Sequence, residues 1–417
     1  MTSKERLQAT LNHIQPDKLV VDFGTTGVTG IHCKIVQELR DFYGLKKIPV
    51  RIIEPFQMLG EVDEELRDIM GVDTLGVFGS HNMFDIDETE THIQTTPWGQ
   101  QVTIAREIDL TQDKNGDIYV YAQANHNFPP SAVMPNGCYF MNAIERQTEF
   151  DEDKLNPADN LEEIGYISDS EIAFLCQKIE GLDYSKKGVI ASFGSTALGD
   201  IAFIPGMGLP QPKGIRTVEE WYMSTIIRQD YIHQIFEKQI DIAIQNYEKL
   251  WKAIGNKVDV VFTCGTDFGT QNSQFCSPET FDELWLPHYK RMNDWIHKNT
   301  TWKVFKHSCG AILPILPGLI EAGFDIINPV QINAKDMDTQ LLKTEFGKNV
   351  TFWGGGIDTQ KVLPNASVSE VKKHVLNQCE ILSKNGGFVF NTVHNVQANV
   401  PIQNLIATIE AVREFNN

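Results

Sequence analysis

His307 and Cys309 stand two residues apart at the end of an apolar run, Trp302 to His307, and both residue types are good zinc ligands. On extended backbone, residues i and i+2 point to the same side, so the pair offers an imidazole nitrogen and a thiolate to one ion. An isolated H-x-C is more often a core histidine beside a small buried cysteine, because free cysteine is commonly buried. Two features shift the reading toward a metal: the pair closes a strand-like run, and Gly310 follows it, which favours a tight exposed turn over continued core. A zinc that does chemistry keeps three protein ligands and an open or exchangeable position for a reacting atom. The third ligand is expected from another strand end, and His394, in Asn391-Thr392-Val393-His394-Asn395, fills that place. Cys264 and Cys276 are weaker substitutes, and Asp267 is a further carboxylate candidate that could equally orient substrate or cap a loop. Cys379 and His288 fall on apolar helical stripes, where packing explains them.

Other polar residues follow apolar runs in the same way: Asp22, Asp267, Gln331 and Asp358. Gly354-Gly355-Gly356 matches neither a Walker A loop nor the spaced dinucleotide fingerprint, and reads as a crowded strand end where backbone approaches a ligand.

To bring these residues to one face, the chain needs parallel strands ending together. Short β-branched or aromatic runs occur at 18–24, 72–79, 187–194, 258–263, 302–307, 324–328, 350–355 and 387–391, separated over the second half by amphipathic helical stretches. Ser277 before Pro278 reads as an N-cap with proline at the first helical position, and Phe281, Leu284, Trp285, His288, Met292 and Trp295 continue as one stripe. Ser367 with Glu370 resembles a capping box, followed by Val368, Val371, Val375, Cys379 and Leu382. Eight such units predict an α/β protein of the (β/α)8 TIM-barrel class, whose active site lies at the carboxyl ends of the strands; an open doubly wound sheet is the alternative on pattern alone. The stretch 80–186 breaks the rhythm. There QQVTIARE and DIYVYAQ flank Lys114-Asn115-Gly116-Asp117, a hairpin-turn signal, followed by a Phe128-Pro129-Pro130 loop and an acidic run from Glu149 to Asp153. The expectation is a single barrel domain over 1–417 with a β-hairpin-containing insertion at 80–186 between early barrel units.

A net charge of -19 opposes a nucleic-acid backbone or an anionic membrane as partner. Seven dispersed cysteines form no disulfide framework of the secreted kind, which fits a reducing compartment. The first residues lack an apolar h-region, and no stretch nears the ~18 apolar residues of a membrane span. A cytoplasmic protein is expected.

The succession Gly265-Thr266-Asp267-Phe268-Gly269-Thr270-Gln271, Ser277-Pro278-Glu279, His307-Ser308-Cys309-Gly310, Asn328-Pro329-Val330-Gln331 and Gly354-Gly355-Gly356-Ile357-Asp358 resembles the uroporphyrinogen decarboxylase superfamily. Its H-x-C element looks like the zinc-dependent methyltransferase branch, which includes methylcobalamin:coenzyme M methyltransferases and corrinoid-dependent O-demethylase components. The decarboxylase itself fits poorly, because its R-Q-A-G-R-type segment has no counterpart in Val21-Asp22-Phe23-Gly24-Thr25-Thr26. In the coenzyme M enzymes the third zinc ligand is a cysteine near the last strand, where this chain has His394. Imidazole in place of thiolate leaves more charge on the metal and a stronger Lewis acid.

The resemblance thus implies zinc on His307, Cys309 and His394, with Asp267 and Asp358 positioning substrate or handling a proton. It places Asp22, Gln271, Gln331 and Gly355 among the substrate contacts. The chain has no cobalamin-binding D-x-H-x-x-G segment, so cobalamin would come on a separate corrinoid protein. The expected reaction moves a methyl group between that cobalamin and a small methylated compound, a methoxy donor or a thiol acceptor. A uroporphyrinogen-type decarboxylase, or a non-catalytic protein that docks a corrinoid partner or holds metal, are the alternatives.

Overall fold

The computed structural model describes residues 1–194 and 196–417. All eight apolar runs become strands of one parallel sheet. In chain order they are β1 (Val20–Val21), β2 (Thr74–Phe78), β3 (Gly188–Ser192), β4 (Val260–Cys264), β5 (Lys303–His307), β6 (Ile326–Asn328), β7 (Thr351–Trp353) and β8 (Phe388–Phe390). Sequential neighbours pair from β2 through β8, and β8 pairs with β1. The ring is completed where the Asp73 N–H donates to Val21 O at 2.9 Å. The protein is a (β/α)8 barrel with additional sheets.

Val20, Ile190, Val260, Phe305, Ile326, Trp353 and Val389 meet inside the barrel, joined by Leu7 and Leu11 of the helix Ser3–Leu11. That helix stops the amino-terminal end of the barrel. Gly188 lets it lie close, since a Cβ there would sit 2.2 Å from Leu7 Cδ2. Arg6 pairs with Asp73 at 2.7 Å and Lys4 with Asp259 at 3.2 Å, and these same aspartates accept from the Val21 and Val189 amides. One set of carboxylates therefore fixes both the plug and the starts of the strands.

The helical signals are realised locally. Ser277 accepts from the Thr280 amide with Pro278 in the first turn, and Ser367 and Glu370 form a reciprocal capping box. The single stripe expected from Phe281 to Trp295 is broken at Trp285 into Pro278–Leu284 and Leu286–Asn299, because Pro287 cannot continue the ladder.

The inserted region differs in pairing from the sequence expectation. The segments on either side of Lys114-Asn115-Gly116-Asp117 do not pair with one another. Gln101–Ala105 pairs antiparallel with Thr91–Thr95 across a tight turn at Gly99, and Ile118–Val120 pairs with Ala132–Met134. The nearer turn prevails: five residues separate Thr95 from Gln101, whereas the Asp113 turn lies in a longer connection. Gln101–Ala105 also runs parallel to Val50–Glu54, in a five-stranded sheet that takes in Ile31–His32 and Leu59–Gly60. Those two-residue strands carry no alternation long enough to be read. The Phe128-Pro129-Pro130 segment lies outside regular structure, and the Glu149–Asp153 run is exposed except at Phe150. Among the described residues no helix is long and apolar enough to cross a membrane.

Candidate metal centre and active site

Alternation along β5 sets the site. Phe305 faces the barrel interior, so His307, two residues on, reaches into the carboxyl-terminal mouth on the same side. Asn328, the last residue of β6, lies beside it in register. The Asn328 amide nitrogen donates to Trp353 O at 2.7 Å, which turns its oxygen toward the histidine ring. His307 Nδ1 then donates to Asn328 Oδ1 at 2.6 Å, and Nε2 is left with a free lone pair. Cys309 Sγ lies 3.3 Å from that Nε2. The His394 ring centroid is 5.5 Å from that of His307, with the planes at 74°. One ligand atom from each of His307, Cys309 and His394 falls within 4.8 Å of the others.

Burial holds both imidazoles down at about 4, with the neighbouring ring adding to the effect at His394, so both are neutral at ordinary pH. Burial, reinforced by the Asp267 carboxylate, pushes the Cys309 thiol well above the usual range. Such a thiol ionises only when a cation takes the place of its proton. The three groups form a nitrogen-nitrogen-sulfur donor set with the chemistry of a zinc site. The two histidines are not equally prepared. The Asn395 amide donates to His394 Nδ1 at 2.8 Å, so this neutral ring carries its proton on Nε2, opposite to His307.

The loop after β5 is seated by backbone contacts. Cys309 N–H donates to Asp267 Oδ1 at 2.6 Å, Gly310 N–H to Gln331 Oε1 at 2.7 Å, and Phe268 N–H to Ser308 Oγ at 2.9 Å. Gly269 and Gly310 allow the β4 and β5 loops to touch backbone to backbone. His394 is held from the other side, because Asn395 accepts from Gly30 N–H at 2.6 Å and donates to Gly27 O at 2.8 Å.

The remaining sequence candidates separate. Asp267 and Gln331 join the His307, Cys309 and His394 cluster through the contacts just described. Asp22 is fully buried; Thr25 and Thr74 donate to one of its oxygens and Trp353 Nε1 to the other, bracing β1, β2 and β7. Asp358 accepts from the amides of Gln360 and Lys361 in a turn of its own. Gln271 is exposed in the loop after β4. The glycine run is crowded as expected, but by protein: a Cβ at Gly354 would meet Pro329 O at 2.6 Å, one at Gly355 would meet Val330 Cβ at 3.0 Å, and one at Gly356 would meet the Phe390 ring at 2.3 Å. Cys264 bonds Thr266 and Tyr289, and Cys379 is buried in its helix, so neither joins the donor set.

Four nearby residues were not singled out from sequence. Asn328 could have been, since it closes a strand run. Lys306 carries a visible signal too, a lysine inside a barrel strand. It is fully buried, donates to Thr266 O at 2.6 Å, and lies over the rings of Phe268 and Tyr289. Burial lowers its ammonium from the usual range. Asp200, in the connection after β3, is raised to about 7 by burial and by Asp267. Tyr222, on the helix Val218–Ile227, stacks on Phe275 with its hydroxyl buried and without a partner among the described residues. An unpaired buried hydroxyl costs about 1–3 kcal/mol. Neither Asp200 nor Tyr222 follows an apolar run, so strand-end reasoning passes them over.

The tautomer relay gives a direct test. Asn328→Ala is expected to weaken zinc binding about 10–100-fold, because His307 loses the acceptor that keeps its proton on Nδ1. Competition with a chromophoric chelator measures this, and an unchanged affinity would remove Asn328 from the site.

Comparison with known proteins bears on the same half of the chain. Residues 211–415 match the family model described as Uroporphyrinogen decarboxylase (URO-D). A solved structure described as a methyltransferase from Methanosarcina mazei is similar over 100% of this chain and 100% of that chain, with a TM-score of 0.56 and 15% identity. A GH10 xylanase containing a bacterial Ig-like domain, from termite gut, matches over 60% of this chain and 67% of that one, with a TM-score of 0.37 and 6% identity. No curated protein matches the chain.

Proposed function

We propose that the chain, whose residues 211–415 match the Uroporphyrinogen decarboxylase (URO-D) family model, is a zinc-dependent methyltransferase. In this reading it moves a methyl group between a small methoxy compound and cobalamin carried on a separate corrinoid protein. The observation that carries the reading is the convergence of His307, Cys309 and His394 at the mouth, with ligand atoms within 4.8 Å of one another. The Methanosarcina structure supports the architecture, and its description is compatible with the activity.

Zinc bound there would supply a Lewis acid for the methyl-bearing oxygen. The chain's own residues do the rest. His307 presents Nε2 because Asn328 fixes its proton on Nδ1. Asp267 and Gln331 take the two amides that follow the ligand strand, so the thiol arrives in one place. Asp267 lies beside the ligands and is the chain's candidate for positioning substrate. His394 must move its ring proton to Nδ1 if it is to bind through Nε2, giving up the Asn395 amide.

The test combines metal analysis with turnover. Zinc near one equivalent per chain is expected, together with methylcobalamin formation from reduced cobalamin and methoxylated arenes, followed by absorbance. Metal-free protein that decarboxylates uroporphyrinogen would overturn the proposal. Metal-loaded protein inert with every methyl donor and corrinoid carrier would point to a binding role.

A further inference from the structure

Tyr222 is left over once the metal ligands and their supports are assigned. The helix that carries it starts at Thr217, whose side chain caps the Glu220 amide, and Trp221 anchors it in the core at 1% exposure. Tyr222 turns the other way. Its ring lies on Phe275 at 4.5 Å between centroids and 15° between planes, and the Phe275 amide donates to Phe268 O at 2.8 Å. The phenol is thereby fixed to the loop that carries Asp267. Burial, with the nearby Asp267, Asp200 and Cys276 adding to it, raises the phenol above its usual range. Asp200 belongs to the same wall, since a Cβ on Gly265, two residues before Asp267, would sit 2.5 Å from its Oδ2. The phenol nonetheless bonds to neither carboxylate: among the described residues its oxygen has no partner and is shielded from water.

A rigid, stacked phenol with an unused O–H, held against the loop that carries Asp267, is a donor awaiting an acceptor. Taking its substrate from the methyl-transfer reading, we propose that Tyr222 is a catalytic residue whose hydroxyl donates to the ether oxygen of the methoxy substrate. The C–O bond breaks as the methyl carbon bonds to cobalt with the electron pair of the reduced cobalamin. The oxygen keeps the C–O pair, is stabilised by the Tyr222 O–H, and takes its proton from solvent on release. Sulfur is a weak acceptor, so the same hydroxyl selects methoxy over methylthio donors.

Tyr222→Phe keeps the stacking on Phe275 and removes only the O–H. With 2-methoxyphenol and reduced cobalamin, kcat is expected to fall about 100-fold, the scale of one lost donor to a developing oxyanion. With 2-(methylthio)phenol the change should stay within about 3-fold, because the thioether accepts little from the hydroxyl. Catechol, the demethylated product, is expected to bind about 10-fold more weakly to the variant by calorimetry, with zinc content unchanged. Equal rates on 2-methoxyphenol and equal catechol affinities in the two proteins would overturn the assignment. So would equal losses with the oxygen and sulfur donors. If the wild type moves no methyl group yet binds catechol through Tyr222, the donor assignment stands and the methyl-transfer reading fails. If it does neither, both fall.

Discussion

Cys309→Ser should empty the metal site, lowering zinc affinity by more than the ~100-fold upper range for a supporting residue and abolishing measurable methyl transfer. Serine fits the space, and the amide bonds of Cys309 to Asp267 and of Gly310 to Gln331 are made by backbone, so the loop keeps its course. What changes is the donor atom. A hydroxyl does not ionise for zinc as a thiol does, and the site drops to two imidazoles and no charged first ligand. His394, whose proton sits on Nε2, cannot make up the difference without giving up its own hydrogen bond. Cys379→Ser is the control, since that cysteine is buried in the helix Val368–Leu382, where a hydroxyl costs stability and leaves zinc per folded chain unchanged. Elemental analysis of both variants decides it: wild-type zinc in Cys309→Ser would mean that the sulfur is not a ligand.

The largest effect on stability is expected from Gly310→Ala, a loss of about 3 kcal/mol or more. Two penalties coincide there. Gly310 has φ of +89°, and a Cβ would lie 2.2 Å from Gly269 C and 2.3 Å from Gly269 O. Backbone cannot swing away as a flexible side chain can, so the β4 and β5 loops must part. Parting them pulls Cys309 from Asp267, and zinc should be lost from whatever protein still folds. Gly44→Ala isolates the conformational term alone: its φ is +68° and nothing lies within 4 Å of the added carbon, so only about 1–2 kcal/mol is expected. Denaturant midpoints for the pair are the measurement. Equal losses would show that the loops do not rest on one another.

Much of the barrel was legible because parallel strands buried on both faces read as continuous apolar runs, and each of the eight runs became a strand. Insertions are harder, since Ile31–His32 and Leu59–Gly60 are too short to alternate, and a convincing turn at Asp113–Gly116 joins strands that pair elsewhere. The site divides along the same line. His307, Cys309 and His394 sit where strands end, so their positions follow from the barrel, and Asp267 and Gln331 follow likewise. Asp22 obeys the same rule yet spends both oxygens on protein donors, and one oxygen of Asp358 goes to its own turn, which no sequence pattern distinguishes. Asp200 and Tyr222 come up to the Asp267 loop from a long connection and a helix, where only the folded chain shows what lies beside them.

The helix that stops the barrel floor turns the site into a blind alley. With Leu7 and Leu11 filling the far end, the described residues leave His307 a door at the carboxyl-terminal mouth. In the proposed reaction a protein carrying cobalamin would cover that door when it docks. On that reading the small molecule would already be inside, and its demethylated remainder would wait for the carrier to depart. Crowding the protein with carrier should therefore slow turnover, and the order of arrival is imposed by architecture, whatever the relative affinities.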